Sequence, residues 1–222
     1  MAYRGMMAVD LPDEFADSWR PVTTLTDERS VFVLSIAAET TVYGPASVTD
    51  PAVVDADLPL RSLFVVDLTV SPPLPTVGVT PTGVLSMAAV QAKNRFVDAV
   101  EAEGLIVDGV RNTLAFESPS GSPGKWYVLD AAYPLAPDRG DGLERIAAEA
   151  HVVVWPTETS FGVVGGTHPL ETAPFEGPSP DSDVGTDSSP VGLEVDPERD
   201  RERIARLARA IDASSNDSPD GG

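Results

Sequence analysis

Residues 145–169 read RIAAEAHVVVWPTETSFGVVGGTHP, and this stretch decides the fold class. In its first half, every second residue is apolar: Ile146, Ala148, Ala150, Val152 and Val154. Alternation with a period of two indicates a strand that has one buried face. A second apolar run, Ser160–Thr167, follows after the short connection Pro156–Thr159. The two runs therefore predict an antiparallel β-hairpin.

Strand-like runs also lie upstream of this hairpin. Val31–Val42 and Ser62–Val70 show the same alternation, which predicts two half-buried strands. Val110–Ser118 and Lys125–Tyr133 are joined by Pro-Ser-Gly-Ser-Pro-Gly, a sequence typical of a turn. They predict a second hairpin in the same sheet.

One segment changes to a helical period. Between Val84 and Glu103 a single apolar stripe is formed by Leu85, Ala89, Ala92, Phe96 and Val100. Gly104 is the expected C-terminal stop of this helix. Antiparallel strands with one long helix predict an α+β sandwich in which the helix covers one face of the sheet.

The C-terminal quarter differs in composition. From Glu171 to Val195 the chain is rich in Pro, Gly, Ser and Asp and contains no basic residue, which predicts disorder. Asp196, Pro197 and Glu198 then form a strong helix start. The predicted organisation is an N-terminal segment (1–29), an α+β sheet domain (30–170), a disordered acidic linker (171–196), an amphipathic C-terminal helix (197–213) and a disordered tail (214–222).

The charge of the chain indicates its solvent and argues against some partners. Thirty-five acidic residues face 15 basic ones, a formal charge of −20, and only Lys93 and Lys125 are lysines. Such a surface repels itself in dilute buffer, whereas roughly 1 M salt shortens the Debye length to about 3 Å. This balance resembles that of proteins from extremely halophilic archaea. It argues against nucleic acid and anionic membranes as partners, because phosphate recognition needs clustered Lys and Arg.

Targeting features and cysteines are lacking. There is no cysteine, and the stretch from Met1 to Asp10 lacks the apolar core of a secretory signal. Met6 and Met7 are alternative start residues. No run approaches the ~18 apolar residues of a membrane span. A cytoplasmic location is therefore expected.

Motifs of catalysis are missing as well. Gly124-Lys125 resembles a phosphate loop, but Pro119 and Trp126 occupy positions where that motif needs Gly and Ser or Thr. No nucleophile elbow or dinucleotide fingerprint occurs, and neither His151 nor His168 belongs to a recognised ligand spacing. The sequence predicts no catalytic residue, no metal and no cofactor, and favours a protein that is not an enzyme.

Two sets of residues remain as candidates for binding. By strand parity, one set points away from the apolar faces, toward a polar sheet face that could bind a ligand: Glu39, Asp67, Glu149 and His151. The other set would contact a partner protein through the C-terminal helix and the late aromatic residues: Ile204, Leu207, Ile211, Trp126 and Trp155.

A family resemblance rests on the order of the elements and on the last hairpin. That hairpin contains Val153-Val154-Trp155-Pro156 and Val163-Val164-Gly165-Gly166-Thr167-His168-Pro169. Over about residues 30–170 the chain resembles an uncharacterised haloarchaeal family with a PsbP-like α+β fold. That fold is shared by the photosystem II subunit P, a nuclear Ran-binding factor and several small bacterial families. The resemblance implies a binding or assembly module, because those relatives mostly act by docking to proteins.

Two functions follow as hypotheses. The first is a non-catalytic protein-interaction module, in which the C-terminal helix docks either on its own domain or on a partner groove. The alternative is a protein that binds a small molecule or metal ion, or an enzyme, using the acidic sheet face. The oligomeric state stays open.

Overall fold

The computed structural model describes residues 11–47, 56–135, 145–171 and 195–216. Its helices are α1 (Asp13–Ala16), α2 (Pro81–Ala102) and α3 (Pro197–Asn216), with a 3₁₀ turn at Leu74–Val77. Its strands are β1 (Trp19–Val31), β2 (Leu34–Pro45), β3 (Ser62–Ser71), β4 (Ile106–Glu117), β5 (Pro123–Pro134), β6 (Arg145–Pro156) and β7 (Phe161–Pro169).

The seven strands form one antiparallel sheet in the order β1-β2-β3-β7-β6-β5-β4. Hairpin turns join β1 to β2, β4 to β5 and β6 to β7. The connection through α2 carries the chain from β3 to the far edge at β4. Strand β7 then returns to the centre and pairs with β3, from Ser62↔Thr167 to Val66↔Val163. The prediction of an α+β fold is confirmed.

Helix α2 covers one face of the sheet. It begins at Pro81, which suits the first helical position, after Thr80, whose Oγ1 accepts a hydrogen bond from the Gly83 amide at 3.3 Å. The predicted stripe faces the sheet, with Leu85, Ala89 and Val100 buried. It packs on apolar side chains of several strands: Val42, Phe64, Leu129, Tyr133, Val152 and Val154.

Helix α3 covers the opposite face, so the sheet has a helix on each side rather than on one side only. Ile204, Leu207 and Ile211 are buried there in a second core. That core also contains Phe15 of α1 and side chains of the strands: Trp19, Tyr43, Leu63, Val65, Phe116, Val153, Trp155 and Val164. The stripe of the C-terminal helix is thus covered by the chain's own sheet.

The pair Gly165-Gly166 in β7 lets both helices approach the backbone. A Cβ on Gly165 would lie 3.1 Å from Cε2 of Phe96 in α2, and one on Gly166 would lie 2.8 Å from Cδ1 of Ile204 in α3. Because neighbouring residues of a strand point to opposite faces, one glycine serves each helix.

Some predicted boundaries differ from the structure. Strand β1 begins at Trp19, inside the segment 1–29 that was placed outside the sheet. Its side chains are mostly exposed because β1 is an edge strand, so it lacks the alternation that predicts a strand. The C-terminal helix runs from Pro197 to Asn216, and most of the predicted linker and tail lies outside the described residues. None of the described helices combines the length and apolarity needed to cross a bilayer.

Candidate functional site

A buried polar centre lies on the α3 face, where β6 and β7 meet. Glu149 and His151 are two apart in β6 and therefore share a face, and the hairpin register places His168 of β7 opposite Glu149. All three side chains have no solvent exposure. Every buried side-chain nitrogen and oxygen in the described residues has a hydrogen-bond partner.

Glu149 is the anion of this centre. Arg201 of α3 donates two hydrogen bonds to its carboxylate, from Nε to Oε2 and from Nη2 to Oε1, each 2.7 Å. Arg111 of β4 donates from Nη1 to Oε1. Burial alone would raise the pKa of Glu149, but hydrogen bonds from His151 and Arg201 and the charge of Arg201 lower that pKa well below its usual range. The carboxylate is therefore ionised and held from two sides.

The two histidines stack beside this carboxylate, with ring centroids 5.1 Å apart. The Nε2 atoms of His151 and His168 are 3.0 Å apart, and Oε2 of Glu149 lies 3.3 Å from the first and 3.6 Å from the second. Burial lowers the pKa of His151, and it lowers the pKa of His168 to about 4. Both rings are therefore neutral at neutral pH.

Neighbouring groups fix which ring nitrogens carry protons. The indole Nε1 of Trp126 donates to Nδ1 of His151 at 3.1 Å, so the proton of that ring is on Nε2. Nδ1 of His168 lies 3.3 Å from the Pro169 carbonyl and donates to it, which leaves Nε2 of His168 as an acceptor.

Two further buried carboxylates anchor α3 to the sheet. Asp200, in the first turn, pairs with Arg61 at 2.9 Å and with Arg203. Asp212 accepts hydrogen bonds from the indole nitrogen of Trp155 at 2.9 Å and from the amide of Ser120 at 3.0 Å. The helix is thus attached by polar contacts near both ends and by Arg201 between them.

The three side chains are buried and hydrogen-bonded to the protein itself. Glu149 accepts from two guanidinium groups, and His151 and His168 have no solvent exposure. The three convergent atoms can, however, reach a single small cation.

The structure separates the four predicted ligand-binding residues into two pairs. Glu39 and Asp67 lie opposite each other on β2 and β3, on the same face as Glu149 and His151. Asp67 is two strands from β6 and Glu39 is three. The register places Asp67 level with Trp155, four residues along the strand from His151, which is about 13 Å. Burial and the charge of Glu39 raise the pKa of Asp67. The two pairs do not form one site.

The predicted partner-binding residues occupy interior positions. Ile204, Leu207 and Ile211 are buried against the sheet, and Trp155 is buried beneath Asp212. Trp126 is half-buried, with its edge on the ring of His151. In this structure these side chains contact the chain itself.

Three residues of the polar centre were not among the predicted site residues: His168, Arg111 and Arg201. The predicted connection Pro156–Thr159 would pair Trp155 with Ser160 and therefore Glu149 with Gly166. In the structure the loop is residues 157–160 and Pro156 pairs with Phe161, which places His168 opposite Glu149. The position of His168 thus depended on a register that the sequence pattern did not fix. No local pattern indicated that Arg111 and Arg201 reach the same carboxylate, because they come from separate elements.

An open cleft of about 620 Å³ lies beside Arg111, between the ends of β4, β5 and β6. Its charged lining residues are largely paired with one another, Arg111 with Asp130 and Arg145 with Asp108. The Ala147 amide donates to Glu171 at 2.8 Å. The described charged groups that line the cleft are therefore largely paired with one another.

The chain belongs to the family described as a domain of unknown function, DUF6517, whose profile matches residues 9–212. The match runs through α3 to Asp212, so the family's domain includes the C-terminal helix. No curated protein and no solved structure matches the chain.

Proposed function

We propose that the chain is a non-catalytic protein-binding module whose contact site is the tip of the β1–β2 hairpin. The observation that carries this proposal is the apolar tip itself, Val31-Phe32-Val33. Phe32 is 102% exposed, Val33 73% and Val31 44%. The closed polar centre on the α3 face supports the non-catalytic part of the proposal.

The conformation of Phe32 strengthens this reading. Val31 pairs with Leu34, so Phe32 and Val33 form a two-residue loop, and Phe32 has a φ of +53°. Two-residue loops favour Asn-Gly or Gly at positions of positive φ, because a residue with a large side chain costs roughly 1–2 kcal/mol there. A fully exposed aromatic ring in this position stabilises neither the turn nor the core. Strain of this kind is typical of a functional site.

The kind of partner follows from the chemistry of the tip. Phe and Val offer no charge for phosphate recognition, and the chain as a whole carries −20. An aromatic anchor flanked by aliphatic side chains fits an apolar pocket on another protein, where such anchors supply most of the binding energy. The PsbP-like resemblance, which implies docking to proteins, agrees with this proposal.

The test replaces the tip by a sequence that suits the turn. The double variant Phe32→Asn with Val33→Gly should fold at least as stably as the wild type and should lose its partner. Wild type, this variant and the matched control Met87→Gln, at an exposed apolar position on α2, are compared by affinity capture with quantitative mass spectrometry and by light scattering. Proteins retained by wild type and control but lost from the double variant support the proposal. An unchanged set of captured proteins contradicts it, and loss of self-association alone assigns the tip to a dimer contact.

We also propose that the chain works in concentrated salt inside a halophilic archaeon. Its 35 acidic residues against two lysines support this proposal, because carboxylate repulsion is screened at high ionic strength. Dialysis from molar KCl into dilute buffer should reduce the circular dichroism signal reversibly. A chain that keeps its full signal in dilute buffer would contradict the halophilic interpretation.

A further inference from the structure

We propose that Glu149, His151 and His168 form a buried three-ligand site for one divalent transition-metal ion of the zinc type. The ligand atoms are Oε2 of Glu149 and the Nε2 atoms of the two histidines. This inference is independent of the hairpin tip, since the site lies inside the molecule on the α3 face.

The spacing of the three atoms matches one face of a coordination tetrahedron. They are 3.0, 3.3 and 3.6 Å apart. Zinc bonds to nitrogen and oxygen are about 2.0–2.1 Å long, which places tetrahedral ligand atoms about 3.3–3.4 Å from each other. Shifts of a few tenths of an ångström would bring all three to one ion.

The protons of the centre do not account for all three contacts. His151 has one proton on Nε2, which can be directed to His168 or to Glu149. The remaining contact, between Nε2 of His168 and Oε2 of Glu149, joins two lone pairs across 3.6 Å. Oε2 also accepts the Nε–H of Arg201, so the only proton that lies between the three atoms is that of His151. Three ligand atoms that face one point in this way are suited to a cation.

The surroundings of His168 and Glu149 resemble a second coordination shell. His168 donates Nδ1–H to the Pro169 carbonyl, which orients the ring and leaves Nε2 for a metal. Arg201 donates to both oxygens of Glu149 and Arg111 donates to Oε1, while Oε2 also faces the two histidines. Ligating carboxylates are commonly hydrogen-bonded in this way. The two guanidinium groups share the charge of Glu149, so we expect weaker binding than at a site with an unshared carboxylate.

Binding through His151 requires one local change. Nε2 must give up its proton, so that proton moves to Nδ1, and the indole of Trp126 must turn its N–H away from Nδ1. Trp126 is half-buried. The hydrogen bond from the Trp126 indole therefore disfavours the tautomer of His151 that binds a metal. For the same reason, the fluorescence of Trp126 should change when a metal binds.

The experiment uses the full chain in molar KCl after dialysis against a chelator. Zn²⁺ is titrated calorimetrically, and Co²⁺ is followed by the visible absorption of tetrahedral cobalt. We expect one ion per chain, a change in tryptophan fluorescence, and a loss of affinity of at least tenfold in His168→Ala. Glu117→Gln, an exposed acidic residue on β4, should bind like the wild type. No binding by the folded wild type, or equal affinity in folded His168→Ala, would overturn the proposal.

Trp126→Phe separates a metal site from a closed hydrogen-bond network, and it keeps the proposal testable if His168→Ala fails to fold. Removing the indole N–H removes the group that opposes the metal-binding tautomer of His151. We therefore expect Zn²⁺ affinity to rise severalfold and the metal-dependent fluorescence change to disappear. Unchanged or weaker binding by Trp126→Phe would show that His151 is not a ligand and would overturn the three-residue site.

Discussion

The two faces of the sheet are both covered by a helix, but they are held together differently. Under α2 the core is apolar, and its buried polar groups are hydroxyls: Tyr133 donates to the Pro59 carbonyl at 2.9 Å and bonds Thr167. Under α3 the core contains three buried carboxylates, Glu149, Asp200 and Asp212. Helix α2 is held on the sheet by apolar packing, and α3 is held by apolar packing together with the contacts of buried carboxylates.

The difference follows from the composition of the two helices. The stripe of α2 continues over about four turns, whereas that of α3 is narrow and is flanked by Arg and Asp. A narrow stripe buries little apolar area, so α3 needs directional contacts to fix its position. The buried carboxylates supply them, and each is satisfied by Arg, indole or backbone donors.

The largest expected effect compares the apolar parts of the two faces. Leu207→Ala on the α3 face should lower the free energy of unfolding by about 2–5 kcal/mol, like Leu129→Ala on the α2 face, because both truncations leave a cavity in a packed core. Chemical denaturation in molar salt measures both values. If Leu207→Ala costs less than about 0.5 kcal/mol while Leu129→Ala costs several, α3 is not a layer of the fold.

A smaller effect should come from the polar attachment of α3. Arg201→Met leaves buried Glu149 with Arg111 as its one guanidinium partner and should cost about 1–3 kcal/mol, the range for a buried group that loses a partner. Arg206→Met is the matched control on the same helix, because its pair with Glu14 is about half exposed at both ends. That control should cost between 0 and about 1 kcal/mol. Equal losses in the two variants would remove the distinction between buried and exposed attachment.

The smallest effect concerns the acidic pair outside the centre. The pKa of Asp67 is raised by burial and by Glu39, so its charged form is less stable in the folded chain. The stability that comes from protonation is present at low pH and is lost as the pH rises through the raised pKa. Asp67→Asn should therefore stabilise the chain near neutral pH, by less than about 1 kcal/mol because the site is partly screened.

The check on Asp67→Asn is a set of melting curves between acid and neutral pH. The advantage of the variant should vanish below the pKa of an unfolded aspartate, where both forms are neutral. Glu28→Gln, on the exposed edge strand, is the control for removing one negative charge. If Asp67→Asn and the wild type are equally stable at every pH, Asp67 is not destabilised in the folded chain.

Local periodicity was enough to predict much of the fold. The stripe of α2 and the alternation in β6 are set by residues near each other in sequence, and both elements form as expected. Strand β1 was missed in part because an edge strand with exposed faces carries no burial pattern. The packing of α3 on the sheet could not be predicted from local sequence either, because it depends on the space that Gly166 leaves for Ile204.

The polar centre was only half predictable for a similar reason. Strand parity brought Glu149 and His151 together, because residues two apart share a face. His168 needed the exact hairpin register, because the predicted turn at 156–159 pairs Glu149 with Gly166, whereas the structure pairs it with His168. Arg201 needed the docking of α3, a contact across 52 residues of chain. Strand parity also placed Glu39 and Asp67 on the same face as Glu149. Parity predicts the face on which a side chain lies, but it does not predict the distance between two side chains on that face.

The central claim is that α3 is an integral layer of the domain, and amide hydrogen exchange tests it most directly. In molar salt, the amides of residues 204–211 should exchange only when the whole domain unfolds, at rates similar to those of β6 and of the buried part of α2. Rapid exchange of residues 204–211, while β6 and α2 stay protected, would show that the helix detaches on its own and would contradict the claim.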